Sequence, residues 1–207
     1  MAKSASKTRR PVRKSPSASS NGKSNGSASR QKQKSVDELH HGEDNEDLMK
    51  LFEHALKDMY WVEKTLTRAI PKMIKKATAP KLTTALIEHL EETERQVTKL
   101  EKVFKAIDKA PRAKKCIGMD GILMEGEELM KEFTGPTLDE AIIMAALKVE
   151  HYEMSAYISM ITLADTLNLV KEADILQEIL DEEMKADRLL TSLGVVSAHE
   201  IVMEERE

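Results

Sequence analysis

The sequence predicts an all-α protein: a bundle of four long helices with one long crossover connection, preceded by a disordered basic tail. Three observations support this fold class. Helix breakers and strand formers are scarce, with 8 Gly, 6 Pro and 3% aromatic residues, whereas helix-favouring Ala, Leu, Glu, Lys and Met are abundant. From residue 45 onward, apolar residues recur at spacings of three and four, which is the helical period. Two tight turns and one long connection separate the four periodic segments.

The residue content argues against several classes of protein. A single cysteine, Cys116, leaves no internal disulfide and suits a reducing cytoplasm. No apolar run approaches the length of about 20 residues that spans a bilayer, and the N-terminus lacks the apolar segment of a secretory signal. Phosphate-binding Gly-rich loops, CxxC pairs and serine-nucleophile motifs are absent from the sequence. We therefore expect a cytoplasmic protein with no membrane partner.

Charge is distributed unevenly along the chain. Residues 1–36 carry ten Lys or Arg and no acidic residue, and the remainder carries 22 basic against 36 acidic residues, a net charge of −14. Because residues 1–36 contain almost nothing apolar, they cannot offset their chain entropy, and we expect them to be disordered. This tail is either a solubilising extension or an arm that binds nucleic acid. Since it has no aromatic residue for base stacking, such binding should be independent of sequence.

The first two helices are predicted to form a hairpin. Asn45 can cap the first helix, which runs to about Lys76 with an expected kink at Pro71. A tight turn is predicted at 78–80, with proline in the first turn of the second helix, which runs to about Ile107. The inner faces of the two helices contain, in order, Leu48, Phe52, Ala55, Met59, Leu66 and Ile70, then Leu82, Leu86, His89, Gln96, Leu100, Val103 and Ile107.

A long connection, residues 108–136, leads to the second hairpin. It holds a short amphipathic segment, MDGILMEGEELMKEF. Thr137 and Glu140 form a predicted capping box that starts the third long helix, which runs to about Leu167.

The fourth long helix follows a turn at Asn168 and is expected to end at Gly194. Residues 195–207 then form a short amphipathic C-terminal tail. A four-helix bundle with one long crossover has the ferritin-like connectivity, so residues 45–194 are predicted to form a ferritin-like domain.

Four glutamates fall at matched heights in the two hairpins. Residues equally far before and after a tight turn lie level in antiparallel helices. Glu63 lies 15 residues before residue 78 and Glu92 lies 14 after it, and Glu153 and Glu183 each lie 15 residues from residue 168. Each also lies near the apolar face of its helix, because offsets of three and four keep residues on one side. One turn away, Glu150 and Asp187 form a second layer, as further ligands or as hydrogen-bonding supports of the first.

Carboxylates that converge in a dry core must be neutralised. Like charges raise some of their pKa values, or a divalent or trivalent cation neutralises the group. Hard oxygen ligands suit iron, manganese, magnesium or calcium, and a supporting imidazole favours iron, manganese or zinc. Alternatively, the glutamates flank the apolar stripe and extend into solvent. His89 is either a ligand or a hydrogen-bonded core residue. His151 should lie at the surface or in an interface, and Cys116 should be a partly buried, inert thiol.

Five segments of this sequence, in this order, resemble the YciE/YciF family of ferritin-like proteins: LFEHALKDMYWVEKTLTRAIPKM, EHLEETERQVTKLEKVFKAI, KKCIGMDGILMEGEELM, AALKVEHYEMSAY and LQEILDEEMKADRLLTSL. The likeness covers residues 47–193 and excludes the basic tail. It implies a ferritin-like bundle, often a homodimer, found in bacterial stress responses. The wider ferritin-like group holds a dinuclear metal site with Glu-x-x-His motifs. This chain departs from that motif, because Arg95 follows Glu92 at the third position and Ala186 follows Glu183.

Two functions follow as hypotheses. The first is a stress-associated protein with a carboxylate-rich site for iron or manganese, which oxidises iron or disposes of peroxide if the metal is redox-active. Its predicted metal ligands are Glu63, Glu92, Glu153 and Glu183, with Glu150 and Asp187 as additional ligands or supports. The alternative is a non-catalytic helical homodimer that acts as a scaffold, with its basic tail bound non-specifically to nucleic acid.

Overall fold

Five helices make up the part of the chain that the computed structural model describes, which comprises the backbone of residues 26–204 and the side chains of residues 45–194. They are α1 (Gly26–Lys76), α2 (Pro80–Ala106), α3 (Ile117–Glu132), α4 (Gly135–Thr166) and α5 (Val170–Glu204). No strand occurs within residues 26–204. The chain divides into two compact units, residues 1–41 and 42–207, and the core and the candidate site lie in the second.

The turn between α1 and α2 is held by an aspartate from α4. Asp139 is buried, and its carboxylate accepts hydrogen bonds from the backbone N–H of Thr78 at 2.7 Å, the Thr78 hydroxyl at 2.6 Å and the backbone N–H of Ala79 at 2.9 Å. Pro80 occupies the first helical position of α2, where no N–H is needed. The predicted turn is confirmed, and the structure adds the long-range contact that fixes it.

The turn between α4 and α5 is formed at Asn168. This residue has a φ of 58°, a left-handed conformation that asparagine tolerates better than most residues. The next amide, on Leu169, donates to the carbonyl of Ala164 at 2.8 Å and so satisfies one of the last carbonyls of α4. The predicted turn is confirmed, and α4 and α5 pack against each other along the bundle.

A single long crossover joins the two hairpins. Asp108, with a φ of 54°, follows the end of α2, and the predicted amphipathic segment forms α3, which packs on α4. The Nζ of Lys76 donates to the carbonyl of Met130 at 2.8 Å and thereby connects α1 to α3. The helices α1, α2, α4 and α5 therefore form two hairpins joined by one crossover, as predicted.

The hydrophobic core lies between the four long helices. Its members come from the predicted apolar stripes, which places one face of each helix inward. None of the helices between residues 26 and 204 is both long and apolar enough to cross a membrane. Among the largest fully buried side chains are Phe52, Leu56, Leu66, Leu82, Leu100, Phe104, Ile142, Tyr157, Met160 and Leu176.

The first helix begins earlier than the sequence predicts. It starts at Gly26 rather than at Asn45, so residues 26–36 of the predicted disordered tail are helical. Alanine, arginine, glutamine and lysine, which fill much of this stretch, favour helices, and extending an existing helix costs far less than starting a new one. Residues 1–25 lie outside the described residues, and the binding of nucleic acid by the basic tail stays a prediction.

The predicted capping box of the third long helix is wrong. The helix α4 begins at Gly135, with Thr134 as its N-cap, rather than at Thr137. Gly135 has a φ of 61°, which glycine adopts without strain. Pro136 then supplies a backbone angle already suited to the first helical turn, so Thr137 and Glu140 lie inside the helix.

The predicted end of the last helix is also wrong. Gly194 does not end α5, which continues to Glu204 through most of the predicted C-terminal tail. A Cβ atom built at Gly194 would lie 3.2 Å from the Cγ2 of Ile143, which is tighter than ordinary packing. The glycine therefore allows α5 to lie close to α4.

Candidate metal centre

Five buried ionisable side chains, contributed by all four long helices, define the candidate centre. The carboxylates are at most 1% exposed and the histidine is 9% exposed. Two of them lie on the same helix three residues apart, a spacing that places both on one face. The members of this buried cluster are Glu63 from α1, His89 from α2, Glu150 and Glu153 from α4, and Glu183 from α5.

Four members of the buried cluster are close enough to share one ligand. One potential ligand atom from each of four residues lies within 4.8 Å of the other three, and these residues are His89, Glu150, Glu153 and Glu183. Within this group, the Nε2 of His89 lies 3.2 Å from the Oε1 of Glu150. A cation between these atoms would therefore find donors from three helices.

Glu63 adjoins this group and is held by a tyrosine. The hydroxyl of Tyr157 donates a hydrogen bond to the Oε1 of Glu63. Tyr157 lies four residues after Glu153, so it faces the same side of α4. It is itself fully buried, so the tyrosine fixes the orientation of Glu63 without access to solvent.

Glu183 is held by an amide from α2. The Nε2 of Gln96 donates to the Oε1 of Glu183 and also, at 3.1 Å, to the Oε2 of Glu182. Gln96 is fully buried. A donor on one carboxylate oxygen leaves the other free to bind a ligand, which is the usual role of a residue that supports a metal ligand.

Several polar atoms of the cluster have no hydrogen-bond partner among the described residues. They are both carboxylate oxygens of Glu153, one oxygen (Oε2) of each other glutamate, and the Nδ1 of His89. Burying such atoms unpaired is costly. A donor set of carboxylate oxygens and one imidazole suits iron or manganese better than calcium or magnesium, which are usually bound by oxygen ligands alone. The unpartnered atoms and this donor set therefore fit a bound metal ion.

The pKa values of the cluster residues are shifted from their ordinary values in the absence of a metal. Burial raises the pKa of Glu63 to about 7, although the hydrogen bond from Tyr157 opposes this change. Burial, followed by the charges of neighbouring glutamates, raises the pKa values of Glu153 and Glu183 well above the usual range. Burial lowers the pKa of His89, but the charges of the nearby glutamates outweigh it and raise the pKa overall.

Of the six ligands that the sequence predicts, the structure brings four together and places two elsewhere. Glu92 is half-buried and its Oε1 lies 2.8 Å from the Nζ of Lys185. The buried positions of α2 near it are His89, Thr93 and Gln96, so Glu92 lies at the edge of the inner face and is within reach of a lysine on α5. On that helix position 96, rather than 92, supports the cluster.

Asp187 is likewise turned away from the cluster. Its Oδ1 lies 2.9 Å from the Nε2 of His151, whose side chain is 67% exposed. The prediction that His151 lies at the surface is confirmed. The buried neighbours of Asp187 on α5 are Glu183, Ala186 and Leu190, which places Asp187 beside the inner face rather than on it.

The predicted separation of Glu150 and Glu153 into two layers is wrong. Three residues of helix rise only about 4.5 Å, which two glutamate side chains can span, so both reach one cluster. Sequence reasoning weighed His89 as a ligand without choosing it, and it missed the role of Tyr157. The signal was present, because positions 150, 153 and 157 share one helical face.

Comparison with known proteins places this chain in a family. The model of a domain of unknown function, DUF892, matches residues 47–202. The protein YciF of Escherichia coli (strain K12) is 37% identical over 147 residues, which are 70% of this chain and 89% of YciF.

Solved structures agree with the sequence comparison. The crystal structure of the E. coli stress protein YciF has a TM-score of 0.71 at 36% identity and covers 73% of this chain and 97% of its own. YcfI from Rhodopseudomonas palustris has a TM-score of 0.69 at 36% identity and covers 70% and 92%, respectively. A protein from Xanthomonas campestris has the same fold, with a TM-score of 0.62 at 18% identity, and covers 79% and 99%. The chain therefore belongs to the DUF892 family of YciF-like proteins, as its sequence motifs predict.

Proposed function

We propose that this protein binds iron or manganese in the buried cluster. The observation that carries the proposal is the convergence of ligand atoms from His89, Glu150, Glu153 and Glu183 within 4.8 Å, in a core where they are almost wholly shielded from water. Glu63 would add a fifth donor through its unpartnered Oε2. Four carboxylates and one imidazole offer enough donors for a dinuclear centre, although none of these glutamates begins a Glu-x-x-His motif.

The side chains around the cluster would prepare it for a cation. Tyr157 and Gln96 each hold one carboxylate oxygen of a neighbouring glutamate, which leaves the second oxygen for the metal. Burial raises the pKa of Glu63 to about 7 and that of Glu153 well above its usual range, so a cation that binds their deprotonated forms would compete with protons. Bound iron or manganese would supply one-electron redox chemistry.

The relatives suggest the setting of this chemistry. One structural relative is described as a stress protein, and we extend that role to this chain as part of the proposal. A redox-active ion in a buried, carboxylate-rich site would suit the handling of iron or peroxide in stressed cells. Which oxidant reacts at the site depends on which small molecules can reach the buried cluster.

Metal analysis with a matched pair of variants tests the proposal. Metal-free protein should take up Mn²⁺, and the ion at 100 times its Kd should stabilise the fold by about 2.7 kcal/mol, which raises the melting temperature by roughly 5–11 °C. Glu153→Gln should abolish both effects, because Glu153 has two unpartnered oxygens. Glu92→Gln is the control: it should bind as the wild type does, since Glu92 pairs with Lys185 outside the cluster.

A melt that is indifferent to Mn²⁺ and Fe²⁺ would overturn the metal proposal and favour the scaffold. One observation favours that alternative: Ile117, Ile158 and Val170 are more than half exposed, and exposed apolar residues can contribute to an interface between proteins. The scaffold would then be a homodimer, which analytical ultracentrifugation would detect.

A further inference from the structure

An apolar cavity adjoins the buried cluster on one side. It measures about 30 Å³ and lies between α1, α2, α4 and α5. Ten of its twelve lining residues are apolar, and the two polar ones are His89 and Glu150, both members of the cluster. Glu150 is 1% exposed and its Oε2 has no hydrogen-bond partner. The cavity therefore borders two residues of the candidate metal centre.

The cavity shares part of its lining with a groove on the protein surface. The groove lies between α2 and α5 and is lined by Thr84, Glu88 and Leu193, among others. Ala85 and Leu189 line both the groove and the cavity. Leu189 is 38% exposed, so one of the two residues that the cavity and the groove share is in contact with solvent.

The lining decides what this cavity can accept. A cavity without polar partners does not hold water well, and apolar cavities in proteins stay dry and bind apolar molecules or xenon. An ion would lose its hydration without compensation along this path. The volume exceeds what one water-sized molecule needs but leaves no room for an organic substrate of ordinary size. Size and polarity thus select a small, uncharged, apolar molecule.

We propose that this cavity admits and holds a dioxygen-sized apolar molecule beside His89 and Glu150, with entry between Ala85 and Leu189. The idea that dioxygen is a substrate rests on the proposed metal site, because dioxygen has a use there only if a metal is bound. The binding of an apolar molecule does not rest on that site, because the cavity exists in the metal-free protein. Metal ions would reach the cluster by a different route or during transient opening of the bundle.

Xenon binding to the metal-free protein tests the proposal. Under xenon pressure, a crystal of the wild type should hold one xenon atom in contact with the cavity lining beside His89, and solution ¹²⁹Xe NMR should show saturable binding. Ala146→Leu adds three carbon atoms at the cavity wall, so xenon occupancy should fall to below about a tenth of the wild-type value. Ala106→Leu, at an exposed position on α2, is the matched control and should bind xenon as the wild type does.

Two variants at the boundary test the entry path even if Ala146→Leu does not fold. Ala85→Leu should slow xenon exchange, and Leu189→Ala should accelerate it. Ordered water in place of xenon, or equal exchange rates in both variants, would overturn the proposal. The xenon experiments use metal-free protein, so the two proposals can fail separately. Xenon binding without Mn²⁺ binding would refute the metal site and leave the cavity proposal intact. Mn²⁺ binding without xenon binding would refute the cavity proposal alone.

Discussion

Replacing Glu63 with glutamine should stabilise the metal-free protein at pH 8 and leave its stability almost unchanged at pH 4. Burial raises the pKa of Glu63 from 4.5 to about 7. The folded state therefore holds a proton that the unfolded chain releases between pH 4.5 and 7, and the free energy of unfolding falls as pH rises through this window. A neutral amide of the same shape cannot ionise, so it escapes this loss.

The magnitude follows from the size of that pKa change. One pKa unit corresponds to 1.36 kcal/mol, so ionised Glu63 costs the fold about 3 kcal/mol above pH 7. The amide oxygen of the introduced glutamine could still accept the hydrogen bond from the Tyr157 hydroxyl, which limits the structural loss. For a domain of this size, Glu63→Gln should raise the melting temperature by roughly 6–12 °C at pH 8.

Urea unfolding of chelator-treated protein at pH 4, 6 and 8, followed by circular dichroism, measures this effect. Glu94→Gln, at an exposed position of α2, removes the same charge without the burial and should leave the pH dependence as it is in the wild type. A Glu63→Gln variant that is less stable than the wild type at pH 8, or a difference that does not grow with pH, would show that Glu63 is not a buried, strained carboxylate.

Three further substitutions test separate parts of the structure. Asp139→Ala removes three hydrogen bonds from the α1–α2 turn and should destabilise the fold by about 3 kcal/mol in urea unfolding; an unchanged midpoint would contradict the contact. Tyr157→Phe removes a hydrogen bond that lowers the pKa of Glu63, so more protons compete with Mn²⁺. Calorimetry at pH 6.5 should show roughly tenfold weaker binding, with a smaller loss at pH 8. Lys185→Met breaks an ion pair whose lysine is 62% exposed, so stability should change by less than about 1 kcal/mol, and weakened Mn²⁺ binding would place Glu92 in the site after all.

The sequence was sufficient for the fold because its decisive signals are local. Proline at position 80 and asparagine at position 168 mark the two turns, and the period of the apolar residues defines the inner face of each helix. The ends of the helices were harder to predict. Gly194 looks like a stop in the sequence, but its role depends on the approach of Ile143 from another helix, a contact between residues about fifty positions apart in the chain.

The height of the candidate site along the bundle was predictable only in part, and the rotation of its residues about the helix axes was not. Counting residues from each turn placed Glu63, Glu153 and Glu183 at one level, and all three lie in the cluster, but it placed Glu150 one turn away from them. A residue at the edge of an inner face can turn either way, however, and its neighbours on other helices decide the direction. Lys185 draws Glu92 outward, and His89, one turn before it, lies in the cluster instead.

The two pH dependences of this cluster, that of the stability of the metal-free fold and that of the affinity for metal, run in opposite directions. Glutamates with raised pKa values destabilise the metal-free fold as pH rises, and the raised pKa of His89 acts in the same sense, because the stabilising charge on the imidazole is lost as pH rises through the folded-state pKa. The same deprotonations create the donors that a metal needs, so the affinity for metal must increase with pH. A bound cation therefore stabilises the fold most at high pH, which is where the metal-free cluster destabilises it most. A purely structural core would have no need to keep four buried carboxylates, each with at least one unpartnered oxygen, because apolar residues of similar volume would stabilise it more.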